Sequence, residues 1–404
     1  MRIFCRRSSA LAFFLAVLVG AATALTGLAA STPVSAASAR PYHRSVRLLG
    51  EHVLPHNLAF SGTIVGGLSG IDYDPTTGQY AIISDDRSRM NPARYYTAQI
   101  GVNTSGVHGV KFSGVHFFRR PDGSTYPTIE KWKKEQQGLT QAQRNVLGTV
   151  DPEELRIDPR THNILWTSEG ERIIDSPPTL LDPAIRYSAF DGAYRADLPI
   201  PANEHMSVAD VGPRRNKTLE GLTFAANASL VVSCMEEPLL TDGSSPTFEH
   251  GALTRVTVQS RSGPVLAQYA YPLEPLSAAP NLPNAEATNG VSSILAYDRT
   301  DPTHFLAVER GGAAGVGAKV RVYEFSTREA TNVLHTQSLN NTRVHPVTKK
   351  LLVDLDDLGL SRVDNIEGMT WGPLLPDGSR TLILVSDNNF STQQVTQVIA
   401  LAIR

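Results

Sequence analysis

Acidic side chains recur in this chain where the ends of apolar, strand-like runs would meet. Glu153, Glu220 and Glu367 open such runs, and Asp85, Asp86, Glu169, Glu171, Glu236, Glu237, Glu309 and Asp387 close the runs that follow. Carboxylates that converge repel one another and lose hydration, so the arrangement is costly unless cations compensate it. A donor set made only of oxygen suits Ca²⁺, with Mg²⁺ as the alternative, better than zinc. Asp85, Glu153, Glu169, Glu236, Glu309 and Asp387 are therefore the expected metal ligands, and Glu220 and Glu367 the expected catalytic acids, a neighbouring Glu serving as base. The competing explanation is that these acids cap strand ends by accepting from neighbouring backbone amides. Arginine follows the acids at Arg87, Arg172 and Arg310. Each guanidinium either clamps an anionic substrate bidentately or braces adjacent elements through an ion pair.

The elements that must position these residues are visible as a repeat. Its copies are LSGIDYDPTTGQYAIISDD (68–86), PEELRIDPRTHNILWTSEGE (152–171), LEGLTFAANASLVVSCMEE (219–237), VSSILAYDRTDPTHFLAVER (291–310) and IEGMTWGPLLPDGSRTLILVSDN (366–388). The opening positions Ser69, Glu153, Glu220, Ser292 and Glu367 recur at intervals of roughly 67–84 residues, a long period that points to radial repetition. Within each copy two strands flank a turn such as Pro75–Gly78 or Pro376–Gly378, so each copy is a hairpin. An antiparallel hairpin sets the start of its first strand beside the end of its second. Glu153 then belongs beside Glu169, Glu220 beside Glu236, and Glu367 beside Asp387. The first strand of a propeller blade lines the central channel, so the acids face one mouth of it.

A second pair of strand-like runs follows each hairpin: Tyr95–Ile100 with Val110–Phe118, Tyr187–Phe190 with Ala193–Leu198, Leu253–Val258 with Val265–Tyr271, and Val320–Phe325 with Val333–His335. The expected fold is all-β, a single β-propeller of five or six four-stranded blades. The last repeat lacks a fourth strand, and Ser45–Leu54 from the N-terminal side is expected to pair with Val395–Ile403 and close the ring. Thr128–Leu147 is polar and rich in helix formers, which predicts an inserted helix or lid. Ser277–Asn289 and Asn340–Asn365 read as loops.

Composition limits the partners. Residues 1–39 carry Arg2, Arg6 and Arg7, an apolar stretch from Leu11 to Leu28 and small-x-small endings at Ala36 and Ala39, the pattern of a secretory signal peptide. A retained anchor is the alternative, since the stretch is long enough to span a bilayer. The mature chain, 40–404, is expected to be one domain, exported to the periplasm or beyond, with no further membrane span. Cys234 is then its one cysteine, so no intrachain disulfide forms, and roughly 365 residues must rest on a packed core. Without the leader's three arginines, the 37 basic residues fall further below the 39 acidic ones, which argues against a nucleic-acid partner. A monomer acting on a small anionic or ester substrate is expected.

Other chemistries find little footing. No G-x-S-x-G elbow is present, and Ser69 resembles one only superficially. The histidines lack metal-ligand spacing, and Cys234 sits in the apolar run Leu230–Met235 as a small buried residue. The glycine run Gly311–Gly317 follows a strand without opening a helix, so it reads as a loop near the channel mouth rather than a phosphate cradle.

The phrases LSGIDYD, LEGLTF, FLAVERGG and NIEGMTWGPLLPDGSRTLILVSDNNF, within a match running from about Leu48 to Ile403, resemble the phytase-like family known for "esterase-like activity of phytase". The resemblance implies an exported bacterial β-propeller acting on phosphate or carboxylate esters. By analogy with well-understood propeller phytases, it implies channel acids that hold calcium and substrate phosphates. The expected function is metal-dependent ester hydrolysis at the acidic mouth. The alternatives are a non-catalytic binding propeller and a lactonase-like propeller.

Overall fold

The computed structural model describes residues 44–282 and 286–404. The leader expected over residues 1–39 lies outside them. Five four-stranded antiparallel sheets form the blades of a propeller. Their innermost strands are Leu68–Asp74, Pro152–Ile157, Leu219–Ala225, Ala287–Ala296 and Ile366–Leu374, the first strands of blades one to five. These strands stand side by side in chain order around the axis, the fifth next to the first. The ring closes as expected: Val46–Val53 pairs antiparallel with Gln397–Ile403, Val46 opposite Ile403 and Val53 opposite Gln397.

Alternation along the second strands explains their unbroken apolar runs. In blade one Ile82 packs with Ile383 and Val385 of blade five, while Ile83 packs with Leu155 and Trp166 of blade two. In blade three Val231 meets Leu165 and Ile185 of blade two, and Val232 meets Ile294 and Phe305 of blade four. Successive side chains thus face opposite neighbours. Both faces of every blade are buried, so the hydrophobic core is divided among the blade interfaces.

Several sequence expectations need correction. The fourth strand of blade four is Thr348–Asp354, inside the segment read as a loop, and not Val333–His335. Val333 instead donates its amide to the Gln268 carbonyl on the outer strand of blade three and buries its side chain there. The polar insert is two short helices, Ile129–Glu135 and Gln141–Leu147, separated by Gly138 at φ +74°. Thr128 and Thr140 cap them. The inner strand of blade four begins at Ala287, within the expected loop Ser277–Asn289.

Candidate functional site

The same local irregularity sits at the repeat's opening position in all five inner strands. The strand register slips between Leu68 and Gly70, Pro152 and Leu155, Leu219 and Gly221, Val291 and Ser293, and Ile366 and Gly368. The residue bypassed in each case is the repeat's opening position, Ser69, Glu153 (with Glu154), Glu220, Ser292 or Glu367. A bulge of this kind re-aims a side chain without ending the strand. The two serines are used structurally: Ser69 Oγ donates to the Glu153 carbonyl at 2.7 Å, and Ser292 Oγ to the Ile366 carbonyl at 3.0 Å. Each ties its blade to the next. The three glutamates stand free of such duty.

The strand register also fixes the closing positions. The residues opposite the strand openers are Ser84, Ser168, Met235, Glu309 and Ser386. The residue after each is Asp85, Glu169, Glu236, Arg310 and Asp387. Four acids and one arginine therefore surround the mouth, alongside the bulged Glu153, Glu220 and Glu367. Connecting segments add Asp151, Arg87 and Lys217, none of which is part of the repeat's acidic pattern. Arg87 contacts Asp151 and lies 3.8 Å from Glu169. Arg310 lies 3.0 Å from Glu367 and 3.4 Å from Glu236, spanning blades three and five. Lys217 lies 3.2 Å from Glu236 and 3.4 Å from Glu237.

Cations on the chain are outnumbered in this cup. Asp85, Asp151 and Glu153 present oxygens within 4.8 Å of one another, and so do Glu153, Glu169 and Glu220, with Glu153 common to both groups. Glu169 Oε2, Glu220 Oε2 and Glu367 Oε2 are buried and accept no hydrogen bond among the described residues. Burial, reinforced by neighbouring carboxylates, pushes the protonation of Glu153 and Glu220 well above the ordinary range. Asp387 is raised by burial and then by Glu367. Asp151 is raised by burial although Arg87 opposes the shift. Glu169 is lifted to about 7 by burial and Glu236, and Glu367 to about 7 by burial against the pull of Arg310. Burial disfavours the charge on Arg87 and Arg310, yet the surrounding acids hold both firmly protonated. Orphaned, buried oxygens in an all-oxygen donor set fit a hard divalent cation.

Four of the sequence-derived candidates, Glu309, Arg172, Glu171 and Asp86, lie elsewhere or serve otherwise. Glu309 is the strand-paired residue and Arg310 the channel residue, since consecutive side chains on the continuous strand His304–Ala313 take opposite faces. Glu309 points between blades three and four, where it accepts from Tyr271 Oη at 3.0 Å and Asn289 Nδ2 at 3.1 Å and contacts Lys349. Its charge is satisfied without any metal. Arg172 leaves the mouth because Glu171–Ile173 pairs with Thr179–Leu181 in a separate ribbon. Its guanidinium donates to the carbonyls of Ser207 and Ala209. Glu171 is paired with Arg215 at 2.6 Å, and Asp86 with the buried Arg94. The other expected residues converge on the cup: Asp85, Glu153, Glu169, Glu220, Glu236, Glu367, Asp387, Arg87 and Arg310.

Sequence reasoning missed Asp151 and Lys217, two and three residues ahead of the openers Glu153 and Glu220, a position that could have signalled them. It also missed the floor. Arg156 Nη1 donates to the Ile71 carbonyl at 2.7 Å, and Nη2 to those of Ile294 at 2.9 Å and Met369 at 3.1 Å, reaching blades one, four and five. Glu154 lies 3.0 Å from this guanidinium and accepts from Ser293 Oγ at 2.6 Å. Gly70 leaves room for this layer: a Cβ there would stand 2.5 Å from Glu154 Oε1. The pair plugs the axis, so the acidic mouth is a cup and not a through-channel.

A family model described as "Phytase-like: Esterase-like activity of phytase" matches residues 63–390. No curated protein matches the sequence. Among solved structures, the catalytic domain of a GH62 α-L-arabinofuranosidase from Coprinopsis cinerea is similar at 9% identity and a TM-score of 0.40, covering 87% of this chain and 95% of that one. A periplasmic gluconolactonase from Pseudomonas aeruginosa aligns at 8% identity and a TM-score of 0.34, covering 85% and 89%. A gluconolactonase from Xanthomonas campestris aligns at 10% and 0.33, covering 92% and 93%.

Proposed function

The chain belongs to the phytase-like family, described by an esterase-like activity, and on that premise we propose that it is an exported, cation-dependent hydrolase of phosphoesters or related esters. The observation that carries this reading is the set of buried, unpartnered carboxylate oxygens at Glu169, Glu220 and Glu367 beneath the half-open guanidinium of Arg310. Asp85, Asp151, Glu153, Glu169 and Glu220 would hold the ion, Ca²⁺ by preference. Bound there, it supplies Lewis acidity toward an ester oxygen and lowers the pKa of water.

The remaining roles fall to side chains of the cup. Arg87 and Arg310 are partly open to solvent, 21% and 14% for their side chains, so each can meet an anionic substrate while still bracing two blades. Their fixed charges favour the negative charge that builds on the ester oxygens as the bond breaks. Glu367 keeps Oε1 engaged by Asn365 Nδ2 at 3.0 Å and by Arg310, which leaves Oε2 to accept a proton from water. Its affinity for a proton near neutrality suits a general base. Glu220 lies with Glu153 and Glu169 in the ion site, so Glu367 also returns the proton it takes from water to the leaving group. The substrate is a small anion or ester, and the leader at 1–39 directs export.

Purified protein tested on phosphomonoester, carboxylester and lactone panels decides the matter. The expected result is turnover on at least one ester class, lost with EDTA, restored by Ca²⁺ and reduced at least about a hundredfold by Glu367→Gln. Turnover indifferent to chelator would overturn the role of the cup.

A further inference from the structure

The opposite end of the propeller holds a second cavity of about 410 Å³. It lies at the hairpin-turn end of the inner strands, beyond the Glu154–Arg156 plug, and so shares no passage with the acidic cup. Its walls come from one register position repeated around the axis, four residues after each of Ser69, Glu153, Glu220, Ser292 and Glu367: Tyr73, Ile157, Phe224, Ala296 and Trp371. Three aromatic rings, from blades one, three and five, thus surround one space. At its floor Asp72 is fully engaged, accepting from the Ile157 amide at 2.8 Å and from Thr370 Oγ1 at 2.9 Å. Both of its oxygens are thus held by neutral donors of the walls.

The rim differs in kind from the acidic mouth. Arg160 and Arg299 stand on the exposed turns of blades two and four. Arg160 donates only to the Asn227 carbonyl, at 2.6 and 3.2 Å. Among the described residues neither guanidinium pairs with a carboxylate, although arginines elsewhere in the fold do so repeatedly. Two uncommitted guanidiniums over an aromatic-walled cavity of ligand size specify complementary chemistry. We infer that this mouth is a second binding site, for a small molecule whose flat apolar ring lies among Tyr73, Phe224 and Trp371 and whose oxyanion meets Arg160 and Arg299. A carboxylate and a phosphate-type group share that chemistry.

Trp371 reports on the cavity directly, since the other tryptophans, Trp132 and Trp166, are buried elsewhere in the molecule. Naphthalene-2-carboxylate and naphthalene-2-phosphonate, titrated separately against the full chain, are expected to quench its fluorescence saturably. Their relative affinities tell which oxyanion the rim prefers. The uncharged naphthalene-2-carboxamide is expected to bind at least about tenfold more weakly. Arg160→Gln with Arg299→Gln, both exposed side chains that pair with no carboxylate among the described residues, removes that tenfold preference. Phe224→Ala weakens all three probes together. Glu220→Gln, in the other mouth, changes none of them. Absence of saturable quenching, equal affinity for anion and amide, or unaltered preference in the double arginine variant would each overturn the site.

Discussion

Two layers of buried carboxylate lie one above the other on the propeller axis, and they are resolved in opposite ways. In the floor, Glu154 has Arg156, Ser293 Oγ and the Leu155 amide as partners, and Arg156 in turn draws on carbonyls of three other blades. In the cup immediately above, Glu169, Glu220 and Glu367 each retain an oxygen with no hydrogen-bond donor. Burial raises the proton affinity in both layers, with Glu154 at about 8 and Glu367 at about 7. The difference lies in what completes them. The floor is completed by the chain itself and serves the fold, whereas the cup is left for something that arrives from outside.

The largest effect expected is in the floor. Arg156→Ala leaves Glu154 buried without its counter-charge and strips three carbonyls of their donor, a loss of about 3–5 kcal/mol. Chemical denaturation should report it, and added Ca²⁺ should not recover it. Arg310→Ala is the matched change in the cup. It frees Glu236 and Glu367, but these open-mouthed acids can take up protons or a cation, so the loss is about 1–3 kcal/mol and Ca²⁺ recovers it. Equal, calcium-insensitive losses for the two variants would erase the distinction between the layers.

A smaller effect follows from protons. Glu169 and Glu367 have their pKa raised from 4.5 to about 7 in the fold. Between those values the folded chain holds protons that the unfolded chain has released. Stability of the cation-free protein therefore falls as pH rises from about 4.5 through about 7, and the more strongly raised Glu153 and Glu220 extend the fall to higher pH. With Ca²⁺ bound the carboxylates are already ionised and the decline disappears. Melting temperatures across that pH window, with EDTA and with Ca²⁺, check both halves. The smallest effect is the informative neutral one: Glu309→Gln, remote from the cup, leaves Ca²⁺ affinity within about twofold of the parent, as its bonds to Tyr271, Asn289 and Lys349 require.

The fold was legible because the repeat carries its own geometry. Pairing of an N-terminal strand with the C-terminal one followed from counting strands in the last repeat. The site was legible as far as hairpin pairing reaches, which is why Glu220 could be set beside Glu236 and Glu367 beside Asp387. It failed by one residue at Glu309. There the repeat's closing pattern of Ser or Met followed by an acid, as in Ser84-Asp85 and Met235-Glu236, is replaced by Glu309-Arg310, so the arginine takes the channel position. Aligning on the pairing partner rather than on the first acid would have placed it. Arg172 failed for another reason, since the ribbon it enters is too short to show as a pattern. The plug was hidden because Glu154 and Arg156 read as part of an ordinary strand, and only five adjoining strands reveal a guanidinium shared among four blades. Thr348–Asp354 was missed because TKKLLVD carries two lysines, one exposed and one turned in to Glu309, and has a half-exposed apolar face, as an outermost strand does.

The central claim is that the acidic cup is completed by a hard cation, and calorimetric titration of the metal-free protein with Ca²⁺ tests it most directly. Saturable binding is expected, with release of protons near neutral pH from the raised carboxyls. Glu220→Gln should weaken it at least about tenfold, close to 1.4 kcal/mol, while the cation-free fold stays as stable as the parent or slightly more so. No binding heat from Ca²⁺ or Mg²⁺, or equal affinity in parent and Glu220→Gln, would contradict the account.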